Sequence, residues 1–208
     1  TGATTLAGTI NGNDGDVTLD SKVTVDGNST VSSDNGNVTF NDAVEGGFEL
    51  TADAPTGTVT FTTTVGSGTA LSGLDVNADV LVLNDDVTTD DVSGTGTVDL
   101  TGTDTVTLGA NLVIDTAAAD ILFDNNSTII ETAAAKLTLT TLGDIRINDA
   151  FIGDLLVTSG NNISLSGTID TDVAIDMDGA ASVVLSDSVT LISAGNVETP
   201  DVDGAQQL

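Results

Sequence analysis

The chain of 208 residues contains no cysteine, histidine, tryptophan or tyrosine, two prolines, and three basic residues, Lys22, Lys136 and Arg146. Each shortage excludes something. Without Cys and His there is no zinc site of the usual kind, no histidine-assisted nucleophile and no disulfide framework. Without Trp or Tyr there is no large aromatic platform for sugars, and the apolar interior must be built from Val, Leu, Ile, Ala and five Phe. Three basic against 32 acidic residues give a net charge of −29. Such a surface repels phosphate backbones and anionic lipid, so nucleic acid is excluded as a partner. No apolar run reaches the roughly 18 residues that a membrane span needs. Pro55 and Pro200 stand alone, and no linker-like run marks a domain boundary. The chain opens at Thr1 with no signal peptide, which reads as a processed or excised piece of a longer precursor.

What is present is a repeat. An apolar residue at i, another at i+2 and a third at i+6 recur in ten near-copies. The clearest are Val17-Thr18-Leu19 with Val23, Val38-Thr39-Phe40 with Val44, Val59-Thr60-Phe61 with Val65, and Leu81-Val82-Leu83 with Val87. Later copies begin at Leu100, Ile121, Ile145, Ile163 and Val183, and a weaker one, Leu6 with Ile10, opens the chain. From 17 to 183 the starts lie 21, 21, 22, 19, 21, 24, 18 and 20 residues apart. Alternation within each copy has a period of two, and Val, Ile and Thr favour strands. The residues after each pair are Asp, Asn, Ser, Thr or Gly, which bend the chain through their own backbone hydrogen bonds. A period of about 20 residues made of short strands predicts a repeat architecture.

Two all-β folds fit. In a parallel β-solenoid of nine to ten coils, equivalent residues stack about 4.8 Å apart. In an antiparallel β-sandwich, turns fall every 8–12 residues but no like-on-like columns are needed. Recurrence of one residue class at one offset favours the solenoid. It predicts a single inner column of Val17, Val38, Val59, Leu81, Leu100, Ile121, Ile145, Ile163 and Val183. Residues 1–195 form the repeat domain on this reading, and 196–208 a non-repeat tail or connector between subunits.

Val38-Thr39-Phe40-Asn41-Asp42-Ala43-Val44, Gly143-Asp144-Ile145-Arg146-Ile147 and Gly160-Asn161-Asn162-Ile163-Ser164-Leu165 resemble the shaft repeats of large secreted bacterial adhesins of the filamentous haemagglutinin type. The likeness runs from about residue 4 to 195. It implies a right-handed parallel β-helix, export to the cell surface, and a place in adhesion, biofilm or a surface fibre. The Asn-Pro-Asn-Gly-Ile-like secretion signature of that family is missing.

Candidate chemistry centres on acids. If the coils stack, Asp42, Asp85, Asp104, Asp149 and Asp187 line one edge, though not always on adjacent coils, and calcium takes oxygen ligands of this kind. The plainer reading is that Asp is the preferred bend residue. Asn11-Gly12-Asn13-Asp14-Gly15-Asp16 faintly resembles a calcium nonapeptide, but one imperfect copy reads as a turn. Asp85-Asp86 and Asp90-Asp91 are paired carboxylates of the kind glycosidases use. Arg146 is expected on an outward strand position, paired with a neighbouring acid. Asn28, Asn37, Asn125, Asn126 and Asn162 begin glycosylation-type triplets.

The expectation is thus a non-enzymatic, extracellular structural or adhesive element. Its partners would be further copies of itself, flanking repeats of a longer chain, or a host surface or glycan. The alternatives are a calcium-dependent surface-layer or biofilm-matrix module and, more remotely, a polysaccharide-cleaving β-helix.

Overall fold

A computed structural model describes residues 2–200, apart from 93, 125, 133, 160 and 187. Among the described residues there is no helix, and every strand pairing is parallel. The chain winds as a β-solenoid with three faces. The first face carries nine strands in sequence order, from Thr9–Asn11 to Ser182–Leu185. The second runs from Val17–Leu19 to Thr190–Ser193, and the third from Thr4–Leu6 to Val197–Glu198. On some coils one long strand, such as Glu49–Phe61, wraps the corner between the first and second faces. Nine coils at about 4.8 Å each make a rod of roughly 43 Å.

Period-two alternation buries every other residue. The strand Leu112–Asp115 alternates buried and half-buried, as does Ile145–Ile147. On the second face Val17 pairs with Val38, Val38 with Val59, Val59 with Leu81, Leu81 with Val106, and Val106 with Ile129. On the third, Val23, Val44, Val65 and Val87 succeed one another coil by coil. Each fully buried Val, Leu or Ile contributes about 1.5–3 kcal/mol, and these columns are the core. Phe40 and Phe61 stack face to face with ring centroids 4.8 Å apart and planes at 6°, as in-register coils require.

The expected single column divides after its fourth member. Val17, Val38, Val59 and Leu81 lie on the second face, but Ile121, Ile145, Ile163 and Val183 form a column on the first, with Val98 below them. Leu100 belongs to neither: it pairs with Phe123. The cause is coil length. Coils of 21 residues separate the early partners, as in the Asn37–Thr58 bond, whereas Val113 lies 27 residues beyond its bonding partner Asp86. Because all three faces carry the i/i+2 motif, a change of coil length shifts the motif from one face to another.

The solenoid also outruns its expected boundary. Val197–Glu198, assigned from sequence to the tail, pairs with Ile175–Asp176 as a further third-face strand. Residues 201–208 lie outside the described residues.

Glycine serves the corners where coils approach closely. Gly66 has φ +77°, and a Cβ there would lie 2.0 Å from the Thr88 carbonyl oxygen of the next coil. Only a residue without a side chain fits.

Candidate functional site

The five expected corner acids do not share an edge. Asp42 and Asp85 follow second-face strands, and each carboxylate accepts the next backbone N–H, from Ala43 at 2.8 Å and Asp86 at 2.9 Å. They are two coils apart, with Thr63 between them. Asp104 lies within the strand Val98–Leu108 at the corner between first and second faces. Asp149 opens the second-face strand Asp149–Ile152 and pairs with Thr128. Asp187 lies outside the described residues. The expected shared edge of carboxylates is therefore absent among the described residues, because the corner phase shifts with coil length just as the apolar columns do.

What the acids do instead is tie coils together. Asp16 accepts the Asn37 backbone N–H at 2.8 Å and its side-chain amide at 3.1 Å, and Asn37 in turn accepts the Thr58 N–H at 2.9 Å. At another corner Asp120 accepts the Asp144 N–H at 2.8 Å, Asp144 the Asn162 N–H at 3.1 Å, and Asn162 the Ser182 hydroxyl at 2.6 Å. Asp86 accepts from Val113 at 2.7 Å and Asp149 from Thr168 at 2.6 Å. At the corners the strand ladder lapses, and these side chains substitute for the missing carbonyl partners of the next coil's N–H groups. Hydrogen bonds to an ionised acceptor are worth about 1.5–3 kcal/mol each. Glu49 reaches further: it spans the side-chain-free Gly73 to accept the Thr95 N–H at 3.3 Å, 46 residues on.

The Asn11–Asp16 segment is a turn docked on its neighbour. Asn11 accepts the Asn13 N–H at 2.6 Å, and Asp14 accepts the Asn35 amide at 2.6 Å. The paired acids at 85–91 are likewise engaged in part, since Asp90 accepts the Val92 N–H at 3.2 Å. Of the glycosylation-type asparagines, Asn28 bonds Glu49, and Asn37 and Asn162 belong to the ladders above. Asn126 is exposed, and Asn125 lies outside the described residues.

Three features remain. On the first face, Asp75 and Asp99 are register neighbours in a cleft of about 360 Å3 shared with Glu49, Thr51, Thr95 and Thr97. Desolvation raises the Asp75 carboxyl above its ordinary 3.8, and the charges of Asp99, Asp53 and Glu49 raise it further. Near the C-terminal end Asp176, Asp178 and Glu198 bring carboxylate oxygens within 4.8 Å of one another. Asp176 also raises the Asp178 carboxyl, by charge and by hydrogen bonding. Three oxygens of this kind could hold calcium. Sequence reasoning missed the trio because it joins an Asp-x-Asp pair to a Glu that looked like tail.

The third feature surrounds Arg146, which faces outward as expected but pairs with no acid among the described residues. Its Nε donates to the Phe123 carbonyl at 2.8 Å. Lys22 and Lys136, by contrast, meet Glu45 at 2.6 Å and Asp154 at 3.5 Å. Arg146 borders a cleft of about 470 Å3 with Asn126, Asn148, Ser164, Ser166 and Ser186. No family model matches the chain, no curated protein matches it, and no solved structure matches it.

Proposed function

We propose that the chain is a shaft segment of an extracellular fibre or cell-surface appendage, with a mechanical or adhesive task rather than a catalytic one. The observation that carries this reading is the state of the two ends. The first and last strands on each face pair on one side only among the described residues, and the apolar columns run out to those edges. On the last coil Leu185 is 44% exposed, whereas Leu165 directly beneath it is 0% exposed. An open parallel edge with its inner column uncovered accepts another coil of like cross-section, from a flanking segment or from a second copy. The charge of −29 opposes that approach and is screened by salt, over about 8 Å at physiological ionic strength.

Electron microscopy and sedimentation of the purified chain, at low and high salt, test self-association. The expected result is rods of more than one roughly 43 Å unit, growing more numerous with salt. Uniform monomers at high concentration and high salt would remove self-assembly and leave only the flanking-repeat form. A second reading, a calcium-dependent surface-layer or matrix module, would use the trio Asp176, Asp178 and Glu198. It requires the melting midpoint to fall when a chelator is added; an unchanged midpoint removes it.

A further inference from the structure

We infer that the cleft beside Arg146 is a binding site for a small ligand carrying one carboxylate flanked by hydroxyl groups, the chemistry of a hydroxy acid or of a single uronic acid unit. The inference stands apart from the shaft reading, since it concerns a side wall and not the ends.

Arg146 is the chain's one arginine, and its surroundings are unlike those of the two lysines. Its cross-strand neighbours are Leu122 and Ser164, neither of which is charged. Of five guanidinium N–H donors, Nε is fixed on the Phe123 carbonyl, and the remaining four have no partner among the described residues. That one bond holds the guanidinium plane while leaving the Nη fork to present to the cleft. A forked pair of N–H donors matches a carboxylate in a bidentate contact, which an ammonium cannot do.

Beside Leu165 and Gly167, the rest of the lining is amides and hydroxyls. Asn126, Ser164 and Ser186 have side-chain donors and acceptors that bond no described residue. Ser166 donates to Asn148 Oδ1 at 2.7 Å and keeps its oxygen as an acceptor, while Asn148 is anchored to the Ser127 carbonyl at 3.1 Å. Amide and hydroxyl groups around a cation suit a ligand whose carboxylate carries neighbouring hydroxyls. The volume of about 470 Å3 falls within the range of small-molecule sites. The chain's negative charge limits the ligand to few charges, because a polyanion is repelled by the whole field while a monoanion gains the local contact.

The test is titration of the isotopically labelled full chain with galacturonate, followed by nuclear magnetic resonance, with its neutral methyl ester as control. The expected result is a saturable shift of the Arg146 Nε–H signal and of the Ser164 and Gly167 amides, with a Kd on the order of 1 mM. The ester should shift them little. Arg146→Gln should weaken binding at least about 10-fold. Ser164→Asp, which keeps the arginine but sets a carboxylate on the adjacent strand within its reach, should do the same. A neutral oligosaccharide ending in one galacturonate distinguishes the sources at constant charge: tighter binding than the monomer assigns the site to the acidic end of a glycan, and weaker binding assigns it to a free hydroxy acid. The inference is overturned if acid and ester shift the signals equally, if either variant binds like the parent, or if no saturation is reached by about 50 mM.

Discussion

The first four coils and the later ones solve the same packing problem differently. From Val17 to Leu83 partners on the second face lie 21 or 22 residues apart, and the column Leu19, Phe40, Phe61, Leu83 is apolar throughout. In later coils, side-chain bonds across adjacent coils span from 27 residues, Asp86 to Val113, down to 18, Asp144 to Asn162. There the equivalent column passes from Leu108 to Glu131 and returns through Ile152 to Thr171 and Ser193. Glu131 is held by bonds its carboxylate accepts from the Ala135 and Gly153 backbone N–H groups. Thr171 and Ser193 bond each other at 3.2 Å. A solenoid thus needs constant register on its faces but not constant corners. Where coil lengths vary, polar side chains satisfy backbone groups that a uniform coil pairs by itself.

Removing a stacked ring from the regular half should have the largest effect. Phe61→Ala is expected to cost about 3–5 kcal/mol by denaturant unfolding, since Phe61 is buried and stacked on Phe40. Leu185→Ala on the open last coil should cost less than about 1 kcal/mol by the same measurement. Near-equal losses would break the distinction between interior and end.

Glu131→Ala comes next, at about 1–3 kcal/mol, because two backbone donors lose their acceptor. Faster hydrogen exchange at the Gly153 amide would locate the loss. If Glu131→Ala is neutral, water replaces the carboxylate and the polar repair of the later coils is not needed.

Asp144→Ala should cost about 1–2 kcal/mol and speed exchange at the Asn162 amide, while leaving amides on the early coils unchanged. A global rather than local increase in exchange would mean that the corner bonds do not act coil by coil.

The smallest effect concerns charge. The folded chain holds a proton on Asp75 more tightly than the unfolded chain does, since that carboxyl is raised by desolvation and then by Asp99, Asp53 and Glu49. Stability therefore falls as pH rises from the ordinary carboxylate value through the raised one, and the penalty persists at neutral pH. Asp75→Asn should lift the melting midpoint at pH 7 by about 2 °C, as relief of a cross-strand like-charge pair of about 0.2–1 kcal/mol implies. The gain should vanish below about pH 4, where the parent carboxyl is itself neutral. A gain that persists there would assign the effect to packing.

Val17, Val38, Val59 and their i+6 partners Val23, Val44 and Val65 were readable from spacing because coil length is constant across them. Leu100 and its successors were misplaced because spacing cannot tell which of three faces a Val-Thr-Leu segment occupies. That Asp would sit at bends was also readable. That Asp16 or Asp144 would accept an N–H from the next coil was not, since the partner is chosen by stacking. Arg146 was placed outward correctly by strand parity, but its carbonyl partner on Phe123 lies 23 residues earlier.

Composition, alternation and a period near 20 residues determined by themselves that the chain is β and that alternate apolar residues of each repeat point inward, because these follow from local strand geometry. The tertiary structure alone decided which face each strand joins, which acids become ties between coils, and which cation is left facing a cleft. Those outcomes depend on backbone pairing across whole coils, and a few residues added or lost at a corner reset every partner beyond it.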